Sequence, residues 1–275
     1  MNSLPGVFAA AKQDGTKYYR VSITYKNKHI SLGSYDDIQT ASKAYAAADG
    51  ILRGDALQTP VFDTANYTKA VSVYPDNCPL SFEKWVILVN FRDNGIYFKT
   101  PIYLFKKFFL YFLSPERILK FNADDLFYYS KHKIMARGGY LFVNDYGMQV
   151  NILTHYGIKS HAVCGRDYIF INGDHNDFRY ENINVINHYY GVQSFIKNGR
   201  TAYKVKIHIK GDYVVGTYYT ENEAAVAYNK AVDLLASKGI IRNYPSNYIE
   251  DISSIEYAKI YNSIRISKKL RELAG

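Results

Sequence analysis

The stretch "GVFAAAKQDGTKYYRVSITYKNKHISLGSYDDIQTASKAYAAADGIL", residues 6–52, returns in altered form as "GVQSFIKNGRTAYKVKIHIKGDYVVGTYYTENEAAVAYNKAVDLL", residues 191–235. The landmarks keep their order: a "GV" start, a "DG" or "NG" turn, an alternating segment, "LGSY" or "VGTY", then an alanine-rich segment with "AY". Only small gaps separate the copies, so they read as one supersecondary unit used twice.

Each copy predicts three short strands and a helix. Asp14-Gly15 and Asn198-Gly199 mark hairpin turns, because both pairs tolerate positive φ. After them, "YYRVSITY" and "YKVKIHI" alternate with period two. Val21 and Ile23, like Val205, Ile207 and Ile209, point to one face; Arg20, Ser22 and Thr24, like Lys204, Lys206 and His208, point to the other. Ala41, Ala44, Tyr45 and Ala48 form a stripe at helical spacing, and Ala224, Ala227, Tyr228 and Ala231 repeat it. Small residues let the helix lie close on the apolar sheet face, which leaves the other face to solvent.

This pattern resembles the ethylene-response-factor type of DNA-binding domain, also named after the plant protein APETALA-two. The matching residues are the "GV" start, "YRVSI" and "YKVKI", "LGSY" and "VGTY", and the "A..AY" helix, together about a third of the chain. The resemblance implies that a three-stranded sheet enters the major groove, braced from behind by the helix. It assigns double-stranded DNA contact to Phe8, Lys12, Arg20, Thr24 and His29 in the first copy. In the second copy it assigns Gln193, Lys197, Lys204, Lys206 and His208. Plant members carry tryptophan and several arginines on this face, whereas Trp85 here lies outside both repeats. The plant target sequence therefore does not carry over.

Between the repeats, "FNADDLFYYSKHK" (121–133), "GGYLF" (138–142) and "INGDHNDFRYENINVIN" (171–187) resemble HNH homing endonucleases, many of which carry such a domain after the nuclease. The resemblance implies a strand bearing a general-base histidine, a loop oriented by an asparagine, and a following helix bearing a metal ligand. Metal would polarise the scissile phosphate while histidine activates water. Asn172, Gly173, Asp174, Asp177, Arg179, Glu181 and Asn182 fit the loop and helix start. The Asp-His pair expected before "INGD" is Ile169-Phe170, which offers neither a metal ligand nor a proton acceptor. His155, His161 and His175 are the histidines that could stand in. The expectation is a degenerate motif kept as scaffold, with no catalytic residues, no metal ligands and no cofactor.

Composition sets outer bounds. Among 275 residues, 34 Lys+Arg against 25 Asp+Glu give a net charge of +9, which favours polyanionic partners. A hydrophobic content of 48% excludes a wholly disordered chain. The apolar runs "WVILVNF" and "FFLYFL" fall short of the roughly 20 residues needed to span a bilayer. No signal peptide is read, so a soluble cytoplasmic, nucleoid-associated protein without a membrane partner is expected. Cys78 and Cys164 have no CxxC partner and read as buried reduced thiols rather than zinc ligands. There is no phosphate-binding GxxxxGK loop, dinucleotide fingerprint or GxSxG elbow. Asp124-Asp125 fit a helix start, where carboxylates favour the dipole.

The expected architecture is α+β: two modules, each a three-stranded antiparallel sheet plus helix, flanking a degenerate HNH (ββα-metal-like) domain. The boundaries are a repeat over 1–57, a linker over 58–78, the middle domain over 79–188, the second repeat over 189–249 and a C-terminal helix over 250–275. That helix reads as docked on its own domain, with homodimerisation and phosphate contact through Lys268, Lys269 and Arg271 as alternatives. The function expected is sequence-specific duplex DNA binding, as a transcription regulator of a bacterium or its phage. The alternatives are an active homing or nicking endonuclease of a mobile element and a nucleoid protein without sequence preference.

Overall fold

The computed structural model describes residues 5–54, 62, 74–159 and 161–273. Two compact units emerge, one comprising Met1–Ile152 with Asp174–Asn182, the other Leu153–Gly173 with Ile183–Gly275. The architecture is α+β, built from small antiparallel sheets whose neighbouring strands are consecutive in sequence.

In the first unit, β1 (Val7–Ala11), β2 (Lys17–Tyr25) and β3 (Lys28–Tyr35) form a three-stranded sheet followed by α1 (Ile38–Arg53). Asp37 caps α1 by accepting a bond from the Thr40 amide, at 2.7 Å. Ala41, Ala44 and Ala48 of α1 are fully buried together with Val21, Ile23 and Ile30 of the sheet. The "GV" start has a specific cause. Gly6 has φ +69°, and a Cβ there would lie 2.3 Å from both the Tyr45 ring and the Ser22 carbonyl oxygen.

Helix α2 (Phe82–Asn94) follows, capped by Ser81 and closed by Gly95 in the left-handed region. It contains the "WVILVNF" run, buried from Trp85 to Phe91. A short apolar run does not discriminate a strand from a buried helix; here the flanking caps decide. Beyond it lie β4 (Ile102–Leu104), β5 (Phe108–Ser114) and β6 (Arg117–Asn122) in one sheet. Then come α3 (Leu126–Lys131), β7 (Ile134–Arg137), β8 (Tyr140–Asp145) and β9 (Met148–Asn151), the last three a second sheet. Asp124 and Asp125 sit in a 3₁₀ turn leading into α3.

One hydrophobic core joins the first repeat to α2, β4 and β5. Tyr25 meets Phe91 edge to face at 5.3 Å. Most of the 58–78 stretch expected as a linker lies outside the described residues. Phe62 within it is buried, with its ring 4.4 Å from Tyr103 and 5.1 Å from Phe112.

The second unit contains β10 (Tyr168–Phe170) paired with β11 (Ile183–Val185), then the second repeat. That repeat is β12 (Val192–Lys197), β13 (Arg200–His208), β14 (Asp212–Tyr218) and α4 (Glu221–Ser237). Thr220 and Glu223 close a capping box on α4. Gly191 repeats the role of Gly6: φ is +69°, and a Cβ would lie 2.3 Å from the Tyr228 ring and 2.4 Å from the Lys206 carbonyl oxygen.

The two sheets share an irregularity that accounts for "LG" and "VG". The register shifts between Val21 and Ser22 and again between Val205 and Lys206. Leu32 and Val215 are the extra residues, and both turn into the core.

Two expectations are corrected. The C-terminal segment is not one helix but α5 (Ser254–Ser263) and α6 (Lys268–Arg271), separated by an extended stretch. Ile264 and Ile266 are buried at period-two spacing, and Ser267 donates from its amide to Val215 O and from its hydroxyl to Val214 O. Here β-branched residues follow the edge of β14 instead of prolonging a helix. Ile264, Ile266 and Leu270 belong to the same core as α4, so the segment docks on its own module. Secondly, no α-helix follows β11: the chain passes through a short connection into β12, so the helix of a ββα-metal motif is not formed there. Among the described residues no helix is long and apolar enough to cross a membrane. Cys78 and Cys164 are free thiols and half-buried.

Candidate nucleic-acid interface

Register places Phe8, Arg20, Thr24 and His29 on one face of the first sheet, and Gln193, Lys197, Lys204, Lys206 and His208 on one face of the second. In the first, Arg20 pairs with Phe8 on one side and Ser34 on the other. Thr24 pairs with His29, their Oγ1 and Nδ1 lying 3.4 Å apart. Phe8, Arg20, Thr24 and His29 are all exposed, and Lys12 is exposed at the hairpin end. Phe8 is 57% exposed, an aromatic ring presented beside a guanidinium on an open sheet face.

The second sheet repeats the row. Lys204 pairs with Gln193 and with Thr217, the positions that Phe8 and Ser34 occupy in the first. Lys197 closes the hairpin opposite Arg200 and is exposed, with Asn198 and Gly199 both at positive φ. His208 stands opposite Asp212, which accepts its Nδ1 contact at 3.0 Å, and Lys206 Nζ is 3.9 Å from the same carboxylate. The His208 hydrogen bond, with Lys206 nearby, holds the Asp212 carboxyl below the usual range.

The expectation of an open second face needs correction. Gln193, Lys204 and Lys206 are half-buried, and Ala202, on the same side, is fully buried. Part of the cause is local: the Lys204 ammonium lies 5.6 Å from the Phe195 ring centroid, folding its stem along the sheet.

The "INGD…ENI" segment can be followed group by group. Phe170 is a buried β10 residue paired with Ile183, at the position where the resemblance wants a histidine. Within the first unit, Asp174 accepts the Asn176 amide at 2.9 Å. Asp177 is 2% exposed and receives two side-chain bonds from Arg179, at 2.8 and 2.7 Å. Burial works to raise the Asp177 carboxyl, but those bonds outweigh it and the group stays below the usual range. Asn182 donates to the Asp177 carbonyl at 2.8 Å, and Asn122 accepts the Tyr180 amide at 2.7 Å. Tyr180 in turn donates to Asp125 at 2.9 Å. The motif's polar side chains are thus engaged in holding the loop on β6, where the Lys120 backbone bonds Asn176 and Phe178. Among the described residues no group of three or more His, Cys, Asp or Glu side chains is arranged to hold a metal ion.

Sequence reading missed the chain before β10. Asp167 accepts Arg166 at 2.6 Å and the Val163 amide at 2.8 Å. Asn187 joins that turn to β12 by donating to Asp167 at 2.9 Å and accepting the Ser194 amide at 2.9 Å. Lys159, Arg166 and Tyr190 are thereby brought beside β13. Only the clustering of "IKSH" and "GRD" ahead of the second repeat hinted at them.

Compared with known proteins, the chain matches no protein-family model, no curated protein and no solved structure.

Proposed function

We propose that this protein binds duplex DNA sequence-specifically through the outer faces of its two repeated sheets, as a cytoplasmic, nucleoid-associated transcription regulator. The observation that carries the reading is the recurrence of one outward row, Phe8–Arg20–Ser34 and Gln193–Lys204–Thr217, at equivalent registers of two sheets. Core positions recur in repeats for packing reasons; Arg20 is exposed and has no such reason, and Lys204 packs only against Phe195, which an apolar side chain would do as well. Three strands spaced about 4.8 Å apart make a ribbon roughly 10 Å wide between its edge strands, suited to a major groove about 12 Å wide. Cations would supply affinity through phosphates, and the neighbouring Gln193, Thr217, Ser34 and Phe8 would discriminate bases. The net charge of +9 favours rapid encounter with a polyanion.

The same reading assigns the "INGD…ENI" segment a structural role in a scaffold of homing-endonuclease type. Phe170 cannot take a proton, and Asp177, Arg179 and Asn182 are occupied with one another or with backbone carbonyls.

Selection of bound sites from a random duplex library tests the proposal, followed by incubation of the winning duplex with magnesium or manganese. One enriched site, bound and left intact, is expected. Metal-dependent cutting would instead make the protein an endonuclease, and no enrichment would make it a non-specific DNA coater.

A further inference from the structure

The second unit contains a cleft of about 300 Å³ beside β13, and Lys159, Arg166 and Lys206 all line it. His161 and His208 add two titratable rings, against the carboxylates Asp167 and Asp212. The balance of partners is uneven. Arg166 is matched by Asp167, whose oxygens also receive the Val163 amide and the Asn187 side chain. Lys206 and His208 share Asp212. The Lys159 ammonium is buried and has no hydrogen-bond partner among the described residues. It is held 4.3 Å from the centroid of the Tyr190 ring.

The backbone that carries this ring is itself fixed. The Tyr190 amide donates to Asn247 Oδ1 at 2.6 Å, and Asn247 donates back to the Tyr190 carbonyl at 3.1 Å. A cation–π contact offsets part of the cost of burying a charge, but uses none of the three N–H donors of an ammonium. A buried donor left unsatisfied is costly, more so when charged, so such a group calls for an explanation.

We propose that this cleft is a phosphate-binding site in which Lys159 is the principal ligand, assisted by Lys206 and His161. The charge of the lining disfavours a cationic ligand, and a neutral one would leave the ammonium uncompensated. A phosphate group offers several anionic oxygens in different directions, which suits cations contributed by β13 on one side and by the preceding segment on the other. Burial also pushes the Lys159 ammonium down to about 8, as expected of a cation whose counter-charge is not supplied within hydrogen-bonding reach. Glu221 and Asp167 act on it only through longer-range attraction. Since Lys206 and His208 belong to both the cleft and the outer sheet face, the phosphate comes either from bound DNA or from a free phosphate compound that competes with it. The second clause rests on the DNA-binding reading; the existence of the site does not.

The experiment uses the full chain, its Lys159→Met variant, and Lys259→Met, which removes an exposed cation away from the cleft. Inorganic phosphate and a nucleoside monophosphate are titrated into DNA-free protein, followed by thermal shift and by the titration midpoint of the Lys159 ammonium in NMR. Duplex affinity is then measured over a salt series. A free-phosphate site predicts stabilisation of wild type and Lys259→Met, an upward move of the Lys159 midpoint, and binding weakened about tenfold or more in Lys159→Met. A DNA-phosphate site predicts no response to free phosphate, but a salt slope flatter by about 0.9 in Lys159→Met, with Lys259→Met unchanged. If Lys159→Met fails to fold, Lys159→Gln replaces it, because the amide removes the charge while keeping a polar side chain, and the same loss of phosphate response or flattening of the salt slope is expected. Wild-type behaviour of Lys159→Met in both arms, or equal losses in Lys159→Met and Lys259→Met, overturns the proposal. Absence of duplex binding by wild type would sink the DNA reading while the free-phosphate arm still decides the site.

Discussion

Replacing Arg20 and Lys204 with alanine, singly and together, tests the repeated row most directly. Both lie at the centre of their sheet's outward face, each between two cross-strand neighbours. If each repeat neutralises three to four phosphates, log K against log salt should have a slope near −6; losing one contact should flatten it by about 0.9, and losing two by about 1.8. Stability should move little. Arg20 is exposed, while Lys204 loses only its contact with Phe195, worth about 0.5–1 kcal/mol at such a site. For a domain of this size that lowers Tm by about 2–4 °C at most. Removing the first repeat outright would be a poor substitute, because its core is continuous with α2 and β4 and deletion would expose Trp85 and Phe91. The assay is anisotropy of a labelled, selected duplex across a salt series, with melting followed in parallel. Wild-type affinity and slope in the double variant would refute the assignment of this face to DNA. A large loss of Tm in either single variant would show instead that the cation holds the fold.

Val205→Ala, by contrast, should cost about 1–3 kcal/mol, because the side chain is fully buried and its removal leaves a cavity; chemical denaturation measures this. Gly191→Ala should be more damaging, by about 2–5 kcal/mol. It combines a left-handed residue with an overpacked contact against Tyr228, and a near-neutral result would contradict the close approach. Prolonged incubation of bound duplex with magnesium, manganese or nickel should leave it intact; nicking that disappears in His161→Ala or His175→Ala would show that the chain retains hydrolytic chemistry. Lys159 has a folded-state value near 8, below its ordinary 10.5, so burial of its charge opposes folding at pH 7 and the penalty fades as pH rises between those values. The Tm of Lys159→Met should therefore exceed that of wild type near neutrality, with the gap closing towards pH 10. A gap that widens would mean that the charge is stabilising.

What could be read in the sequence was whatever repeats or alternates. The valines and isoleucines of β2 and β13, the alanine stripes of α1 and α4 and both glycine turns follow from local periodicity, and the structure has them. The extra residue at Leu32 and Val215 was hidden, because a bulge changes pairing without changing the pattern along either strand. "WVILVNF" was ambiguous for a different reason: a run apolar on every side carries no period, and only Ser81 and Gly95 mark it as a helix.

The candidate site divides along the same line. Cations on β2 and β13 were legible because each occupies a strand position whose neighbours fix its direction. Lys159 was not, because its environment comes from residues far along the chain: Tyr190 is held by Asn247, and Asn247 exchanges bonds with Asn229 of α4 at 2.8 Å each way. None of those residues has a spacing that points to a lysine. The same contrast separates their roles. An exposed cation such as Arg20 can be lost from the fold at almost no cost, so its recurrence as Lys204 is informative about what lies outside the molecule. A buried ammonium is costly to keep, and an alkyl chain of the same length would fill its place beside Tyr190 at lower cost. That Lys159 is charged therefore needs a ligand to explain it, and the oxygen-rich, negatively charged partner already inferred for the neighbouring face has the right chemistry.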